Sequence, residues 1–313
     1  MGGGAVSARL DGRRAVVAGL GRSGLAAADA LVLLGAEVTV LDDDPNLTEP
    51  AAMLGTLDVD VRLGEGATAA LPEGTDVLVL STGWDRSAPL AVRAAELGVP
   101  VWSEVELAWR LQQERPLVPW LGVTGSPERV EVVRLVGAML RAAGMRVAEA
   151  GSRGRPVVEA VLDDAPSDVL VVELSADQLQ GVETLALHSA AVLDAGERAD
   201  DLATVYERVT NFCVYNVEDP ATERMVEEAE VTEGARAVGF TTGIPAVSMV
   251  GVVDDLIVDR AFVAQRQRSA LELAKVDDAA GRVGIVCAAA ALARGVGTPA
   301  QAIRSGLLGS TTD

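Results

Sequence analysis

The strongest constraint on the fold is an alternation of short apolar runs with longer Ala- and Leu-rich stretches. Arg14–Leu20 has the composition of a strand, Ser23–Leu34 that of a helix, and Glu37–Asp42 that of a second strand. The pattern continues to residue 115, with strands over 76–81 and 99–102 and a helix over 89–97. Because strand, helix and strand in this order form the βαβ unit, the alternation predicts a doubly wound parallel sheet.

The alternation restarts after Gln112–Pro116, a polar stretch ending in proline where we predict a domain boundary. The elements predicted after it are a strand at 117–123, a helix at 130–143, buried strands at 169–174, 190–194 and 212–216, antiparallel strands within 247–262, and helices at 282–294 and 298–307. Near-continuous apolar runs are typical of parallel strands that are covered on both faces. We therefore predict an α/β protein with domains 1–115 and 116–313.

Composition narrows the classes of partner. A formal net charge of −20 opposes nucleic-acid phosphates and anionic lipids, so we expect neither nucleic acid nor membrane as a partner. No apolar run reaches the ~18 residues that a membrane span needs. Cys213 and Cys287 lie in apolar surroundings and form no metal-type cluster, which predicts buried, reduced thiols. Met1–Ser7 lacks the basic and apolar regions of a signal peptide, so we expect a cytoplasmic protein.

Gly19, Gly21 and Gly24 form a G-x-G-x-x-G motif between a predicted strand and a predicted helix. The glycines allow a tight turn, and the N-terminus of the following helix offers free N–H groups to a diphosphate. Asp42 ends the next strand, where a carboxylate can accept hydrogen bonds from a ribose or a base. The motif predicts a site for a dinucleotide or a nucleotide sugar. Two alternatives stay open: a glycine turn without a ligand, and a nicotinamide-dependent enzyme, although no pair of residues for hydride transfer follows.

A second glycine turn lies where a phosphate-binding loop is expected, between a predicted strand and a predicted helix. A working loop of this kind surrounds phosphates with backbone N–H groups, contacts them through a lysine and holds magnesium through Ser or Thr. The segment Thr124–Glu131 reads Thr-Gly-Ser-Pro-Glu-Arg-Val-Glu and contains no lysine.

Short motifs follow one another along the rest of the chain. Together with the two glycine turns they are Gly19–Gly24, Ser81–Trp84 with Ser87–Leu90, Val101–Trp109, Val123–Gly125, Glu173–Ser175 with Gln178–Leu179, and Val214–Thr222. In this order and spacing the chain resembles the Mur ligases of peptidoglycan synthesis, and among them the ligases that add D-glutamate to UDP-N-acetylmuramoyl-L-alanine (UDP-MurNAc-L-alanine). The resemblance implies a Rossmann-like UDP-sugar-binding domain and a P-loop-NTPase-like central domain, both with mainly parallel sheets.

The resemblance implies a UDP-sugar site in the N-terminal domain, where the pattern is largely intact. The residues at the matching positions are Gly19, Leu20, Gly21, Arg22, Ser23, Gly24, Asp42, Ser81, Thr82 and Gly83.

In the central domain the resemblance implies a site for ATP and magnesium. Glu173 matches the magnesium-binding glutamate, while Ser175 and Gln178 match residues near the muramoyl end of the substrate. Asn216 and Asp219 match the N-x-x-D that recognises adenine. The loop residues of the implied ATP site are Thr124, Gly125, Ser126 and Arg129.

The departures from the family pattern concentrate on this central site. The family's G-T-N-G-K-T-T becomes Gly125–Glu131, so Glu128 replaces a glycine, Arg129 replaces the lysine, and Val130 replaces a magnesium-holding hydroxyl. Pro127 removes one backbone N–H donor. Arginine keeps the charge of lysine but not its compact ammonium group.

Further departures follow towards the C-terminus. Gly151–Gly154 replaces a glycine-Asn-Ile-glycine turn, Asp194–Ala199 lacks the histidine of an N-x-x-x-D-H stretch, and Arg282–Val286 replaces H-N-x-x-N. The lysine that the family carbamylates falls opposite Leu202 or in a shortened segment. We expect the third domain, which carries the acceptor-amino-acid site, to be absent, because the chain stops where that domain would begin.

These departures lead to three hypotheses. The first is a pseudoenzyme without catalytic residues. It would bind a UDP sugar, or a protein partner at the face where the third domain would attach. ATP and magnesium, which the family implies, would then not bind. The second is an unconventional ligase, or half of one completed by another chain. The third is a nicotinamide-dependent enzyme. The single lysine, Lys275, is expected to be solvated, and the single histidine, His188, is expected to be a surface or capping residue.

Overall fold

A computed structural model describes residues 10–310, so the expectation about a signal peptide at Met1–Ser7 lies outside the described residues. The chain divides into two compact units. The first comprises the chain up to Leu117 with Arg155–Asp164 and Asp177–Leu185, and the second comprises Val118–Gly154, Ala165–Ala176 and the chain from Ala186 onward. The domain ranges 1–115 and 116–313 are continuous along the chain and stay a proposal.

The first unit is built on a five-stranded parallel sheet in the order β3-β2-β1-β4-β5. Its strands are β1 (Arg14–Ala18), β2 (Glu37–Asp42), β3 (Asp60–Leu63), β4 (Val77–Leu80) and β5 (Val101–Ser103). Every residue of β4 is buried, as its uninterrupted apolar run indicates.

The second unit is built on a nine-stranded sheet in the order β14-β13-β12-β11-β10-β9-β6-β8-β7. Its strands are β6 (Trp120–Thr124), β7 (Val147–Gly151), β8 (Val169–Glu173), β9 (Ser189–Val192), β10 (Phe212–Asn216), β11 (Arg236–Phe240), β12 (Met249–Val253), β13 (Leu256–Asp259) and β14 (Leu271–Lys275). The strands from β6 to β12 pair in parallel, while β12, β13 and β14 pair antiparallel. Asp254, with a φ of +54°, lies in the turn between β12 and β13, as the predicted antiparallel pair requires.

The helices alternate with the strands in both units. They are α1 (Arg22–Leu33), α2 (Thr48–Gly55), α3 (Pro89–Glu96), α4 (Glu104–Gln112), α5 (Arg129–Ala142), α6 (Val157–Leu162), α7 (Ala176–Gln180), α8 (Ala199–Ala203), α9 (Pro220–Glu228), α10 (Val283–Gly295) and α11 (Ala300–Gly309). The predicted α/β class with mainly parallel sheets is confirmed. The helices predicted at 282–294 and 298–307 correspond to α10 and α11, and their predicted ends lie within two residues of the observed ends.

The core of the second unit centres on α10. Every residue from Val286 to Ala293 is buried, because a run of small alanines lets the helix lie close to the sheet. On the neighbouring helix pair, a Cβ at Gly306 of α11 would lie 2.5 Å from Met139 Cα of α5, so the two helices approach each other at a glycine.

The parallel strands of the second unit bring three candidate residues to one edge of the sheet. Thr124 ends β6, Glu173 ends β8 and Asn216 ends β10. The carboxyl ends of parallel strands form the edge where ligands of open α/β sheets bind. Among residues 10–310, no helix is long and apolar enough to cross a membrane.

Candidate functional site

The first glycine loop joins β1 to α1, and two of its glycines have no room for a side chain. A Cβ at Gly19, whose φ is +90°, would lie 2.2 Å from Ser81 Oγ and 2.5 Å from Trp84 Nε1. A Cβ at Gly24 would lie 1.9 Å from the Gly19 carbonyl oxygen. Gly21 instead faces open space and is the N-cap of α1. The loop therefore packs closely while the N-terminus of α1 stays open, which is the arrangement that suits a phosphate.

The Asp42 carboxylate, at the end of β2, holds this loop. The Leu20 N–H donates to Asp42 Oδ2 at 2.7 Å, and the Asp44 N–H donates to Oδ1 at 2.9 Å. The Gly19 N–H donates to the Leu41 carbonyl at 2.8 Å. Asp42 thus fixes the loop backbone, and the predicted contact with a ribose or a base would share the carboxylate with these N–H groups.

The turn after β4 adjoins the same loop. The buried Ser81 donates its N–H to the Ala18 carbonyl at 3.0 Å, and the Thr82 N–H donates to Ser23 Oγ at 2.8 Å. Thr82 Oγ1 is buried and has no hydrogen-bond partner among residues 10–310. Gly83 has a φ of +94°. A buried hydroxyl without a partner needs an explanation, and a polar ligand at the neighbouring open helix N-terminus supplies one.

The predicted UDP-sugar residues are thus joined by direct contacts within the first unit. The segment 19–24 contacts Asp42 through Leu20 and contacts 81–83 through Ser23. Arg22 is exposed in the first turn of α1.

The second glycine loop joins β6 to α5 in the second unit. Gly125 has a φ of +99°, and a Cβ there would lie 2.6 Å from the Asp194 carbonyl oxygen. The buried Thr124 donates its hydroxyl to the Leu174 carbonyl at 2.8 Å. The start of the loop therefore keeps the glycine turn that the sequence predicts.

The rest of this loop closes on itself. The Arg129 N–H donates to the Ser126 carbonyl at 3.2 Å, which forms a tight turn across Pro127 and Glu128. Glu128 is exposed and is the N-cap of α5 without a capping side-chain hydrogen bond. A hydrogen bond with the Ser126 side chain holds the pKa of the Glu128 carboxyl below its usual value. The ionised carboxylate therefore places negative charge at the N-terminus of α5.

Glu173, at the end of β8, is 3% exposed and is surrounded by protein partners. Its Oε1 lies 2.7 Å from Arg129 Nε and accepts a hydrogen bond from Ser152 Oγ at 2.7 Å. Its Oε2 accepts the Arg153 N–H at 2.9 Å. The contact with Arg129 is a charge contact rather than an aligned hydrogen bond, since Nε has no partner in hydrogen-bond geometry. Both carboxylate oxygens of Glu173 are therefore engaged.

The Arg129 guanidinium lies between Glu173 and the loop backbone. Its Nη1 donates to the Ser126 carbonyl at 3.2 Å and lies 3.5 Å from the Gly125 carbonyl. The Arg129 side chain is only 11% exposed. The guanidinium therefore points back into the unit and not towards a ligand of the loop.

The two residues of the N-x-x-D motif are engaged with the backbone. Asn216 Nδ2 donates to the Leu193 carbonyl at 2.9 Å, and its Oδ1 accepts the Glu218 N–H at 3.0 Å. Asp219 accepts two backbone N–H groups, at 2.8 and 3.0 Å, the second from the first turn of α9. Both side chains fix the turn after β10, and their recognition of adenine stays a prediction.

A cavity of about 290 Å³ lies beside Asn216. Its lining includes Ser126, Glu128, Phe240 and Arg282. Arg282 forms an ion pair with Glu131 of α5. The cavity lining therefore mixes apolar side chains with the Glu128 carboxylate and with an arginine that is paired with Glu131.

The remaining candidates are Ser175 and Gln178, together with the single lysine and the single histidine of the sequence. Ser175 is half-buried in the second unit, and Gln178 is buried in α7 of the first unit. Lys275, the only lysine, is the exposed last residue of β14. The expectation of a surface lysine is confirmed, whereas His188 is half-buried and contacts Ser189 Oγ at 2.9 Å.

Two buried glutamates in the first unit had no predicted role. Glu104 accepts the Val158 N–H at 2.6 Å, which holds the start of α6. Glu106 accepts the Glu183 and Thr184 N–H groups at 2.9 and 3.0 Å and pairs with Arg110 at 2.7 Å. Both lie in the Val101–Trp109 motif, whose two acidic residues among apolar neighbours were the only signal in the sequence.

Curated proteins that are similar to the chain share one name. Relatives from Streptomyces avermitilis, Streptomyces coelicolor and Thermobifida fusca are 47%, 46% and 42% identical to it and are named UDP-N-acetylmuramoylalanine–D-glutamate ligase. The matches cover 95%, 97% and 95% of the chain but 66%, 68% and 67% of the relatives. The chain thus spans about two thirds of the length of these relatives. No protein-family model matches it.

Solved structures that are similar to the chain have the same fold. One is a UDP-N-acetylmuramate:L-alanyl-γ-D-glutamyl-meso-diaminopimelate ligase from Neisseria meningitides, with a TM-score of 0.57 and 17% identity, over 95% of this chain and 98% of that one. Another is the UDP-N-acetylmuramate–alanine ligase MurC from Thermotoga maritima, with a TM-score of 0.52 and 15% identity, over 95% of this chain and 68% of that one.

Proposed function

The chain belongs to the UDP-N-acetylmuramoylalanine–D-glutamate ligase family, and from that premise we propose that it is a nucleotide-sugar-binding member that does not carry out ATP-dependent ligation. Its ligand is UDP-MurNAc-L-alanine or a related UDP sugar. It acts in the cytoplasm, in peptidoglycan synthesis or a process related to it, as a pseudoenzyme with a degenerate phosphate-binding loop.

The first glycine loop supports nucleotide-sugar binding. Gly19 and Gly24 pack too closely for any side chain, whereas Gly21 leaves the N-terminus of α1 open. Thr82 Oγ1 is a buried hydroxyl without a partner in the described chain. A diphosphate at this helix N-terminus would meet free N–H groups and the positive end of the helix dipole.

The observation that carries the proposal is the state of Glu173. Its carboxylate already has the Arg129 guanidinium at 2.7 Å and two hydrogen-bond donors. A magnesium ion at this position would have to displace Arg129, and Val130 offers no hydroxyl as a further ligand. The residues present therefore do not fit a magnesium ion.

The loop also opposes the phosphates of ATP. Arg129 is turned to Glu173, so no side chain replaces the phosphate-contacting lysine. Glu128 is ionised at the N-terminus of α5 and offsets the positive end of its dipole. Two like charges ~5 Å apart at an effective dielectric constant of ~20 repel by about 3 kcal/mol, which is about two decades in affinity.

One observation favours a second candidate function. The cavity of about 290 Å³ beside Asn216 persists at the edge where the family binds its nucleotide. An unconventional ligase of this family, completed by another chain, would use such a cavity. A protein partner bound to the second unit is part of this alternative.

Binding of the sugar nucleotide tests the proposal. We expect UDP-MurNAc-L-alanine to bind the full chain in isothermal titration calorimetry, and NADH not to bind. We also expect no phosphate release from ATP–Mg²⁺ when UDP-MurNAc-L-alanine and D-glutamate are added. Phosphate release above the rate without the chain would support the ligase instead, and binding of NADH alone would reject both.

A further inference from the structure

The Glu173 carboxylate is placed where it needs a cation. Glu173 ends the buried strand β8, pairs with Val123 on one side and Gly151 on the other, and is 3% exposed. A Cβ at Gly151, the last residue of β7, would lie 2.3 Å from the Glu173 carbonyl oxygen. The end of β7 therefore packs closely against the Glu173 backbone. A carboxylate this buried is costly unless it is both paired and hydrogen-bonded.

Two oxygen groups contact the cation at this position, and a hydroxyl holds the carboxylate. The Arg129 guanidinium contacts Glu173 Oε1 at 2.7 Å and the Ser126 carbonyl at 3.2 Å. The Ser152 hydroxyl contacts the same carboxylate oxygen at 2.7 Å. A carboxylate and a backbone carbonyl are ligands that a hard divalent cation takes, yet here they contact a guanidinium.

We propose that Arg129 is a tethered replacement for a divalent cation, so that the second unit folds without metal and truncation of Arg129 opens a cation site at Glu173. The inference rests on the proposed function in one respect, namely that Glu173 holds no metal in the native chain. A guanidinium covalently attached one residue into α5 is always present at high effective concentration, so a free ion competes with it poorly.

Arginine is suited to this position in a way that lysine is not. Its planar fork reaches Glu173 through Nε and the loop carbonyl through Nη1 at once. A lysine ammonium carries all its donors on one nitrogen and lacks this planar fork. Replacement of the family lysine by arginine therefore redirects the charge from the loop's ligand to Glu173.

The test measures binding of Mn²⁺ alone to the full chain, by electron paramagnetic resonance, together with the Tm with and without Mn²⁺. The variants are Arg129→Met, Glu173→Gln and the double variant, with Arg141→Met as the matched control, because Arg141 lies on the same helix in the exposed ion pair with Glu149. We expect Arg129→Met to bind Mn²⁺ at least tenfold more tightly than the native chain. Its Tm falls by several degrees and is raised again by Mn²⁺, and Glu173→Gln in the same chain abolishes that response.

For the native chain and the control variant we expect no response of the Tm to Mn²⁺. Neither Mn²⁺ nor a chelator shifts the Tm of the native chain, and Arg141→Met behaves like the native chain. If Arg129→Met does not fold, Arg129→Gln, which keeps a neutral hydrogen-bond donor, takes its place. Equal Mn²⁺ affinity in the native and truncated chains, or Mn²⁺ binding to the native chain that Glu173→Gln removes, would overturn the inference. Since no nucleotide is used, this result is independent of whether the UDP sugar binds.

Discussion

At the scale of single residues, the buried carboxylates of the first unit differ in how their charge is compensated. Glu106 has an arginine and three backbone or hydroxyl donors around it. Glu104 is buried and accepts the Val158 N–H through Oε1, whereas its Oε2 has no hydrogen-bond partner among residues 10–310. Burial therefore raises the pKa of the Glu104 carboxyl from 4.5 to about 7. Hydrogen bonds from the Val158 and Val157 N–H groups lower this pKa, and the negative charge of Glu159 raises it slightly.

Glu104→Gln is predicted to remove a pH dependence of stability. A raised folded-state pKa stabilises the fold below the unfolded value of 4.5, and this contribution is lost as the pH rises to about 7. The loss amounts to at most about 3 kcal/mol. Urea unfolding at pH 5 and pH 7.5 should show that the variant, relative to the native chain, gains free energy of unfolding at the higher pH. An identical pH dependence in both chains would show that Glu104 does not titrate in this range.

Glu106→Gln is the matched variant and should behave in the opposite way. It removes the charge that pairs with Arg110 inside the unit, where the Glu106 side chain is fully buried. Breaking one side of a buried ion pair costs about 3–5 kcal/mol. Chemical denaturation should therefore show a less stable variant at both pH 5 and pH 7.5, and a neutral effect would mean that the pair is open to water.

The two cysteines are predicted to be unreactive in the native state. Both are free and buried, as expected from their apolar surroundings, and burial raises the pKa of each thiol to about 12. At pH 8 about one thiol in 10⁴ is then ionised, and the thiolate is the reactive form. Titration with a disulfide reagent should detect two thiols per chain in denaturant and fewer than one without it. Rapid reaction of either cysteine in the native chain would contradict its burial.

At the scale of elements, the two glycine loops differ in what their helices present. The loop before α1 leaves the helix N-terminus open at Gly21, whereas the loop before α5 has Glu128 at the N-cap and turns Arg129 inward. The first loop is therefore suited to an anion, and the second is neutralised by its own residues.

Gly24→Ala and Gly21→Ala are predicted to separate packing from conformation in the first loop. The added Cβ at 24 would lie 1.9 Å from the Gly19 carbonyl, so the loop must shift, whereas the one at 21 has nothing within 4 Å. We expect Gly24→Ala to lower the Tm. We also expect it to weaken the binding of UDP-MurNAc-L-alanine at least tenfold in isothermal titration calorimetry. Gly21→Ala should keep the native Tm. Equal Tm values for the two variants would contradict the close packing at 24.

Local patterns predicted most of these elements. The apolar period is a property of neighbouring residues, so α10, α11 and the antiparallel pair β12–β13 followed from the sequence alone. The joining of 155–164 and 177–185 to the first unit did not follow, because it depends on Glu104 and Glu106 reaching segments far along the chain. The sequence likewise identified Arg129 as a replaced lysine but held no signal that its side chain turns to Glu173.

At the scale of the whole molecule, the proposed function assigns nucleotide-sugar binding to the first unit and assigns the contact between Arg129 and Glu173 to the second. The separation follows from the fold, since each glycine loop belongs to its own sheet and can change independently of the other. The proposed loss of ATP-dependent ligation in the second unit therefore does not require any change in the first loop.

The affinity of the native full chain for ATP–Mg²⁺, measured by isothermal titration calorimetry in the presence of UDP-MurNAc-L-alanine, tests this account most directly. In the proposed function this affinity depends on the second unit alone, where the Glu128 carboxylate repels the phosphates and the Arg129 guanidinium pairs with Glu173. We predict no saturable binding of ATP–Mg²⁺ up to millimolar concentration. A micromolar Kd that is lost when magnesium is chelated would contradict the account, because it would require Glu173 to exchange Arg129 for the metal.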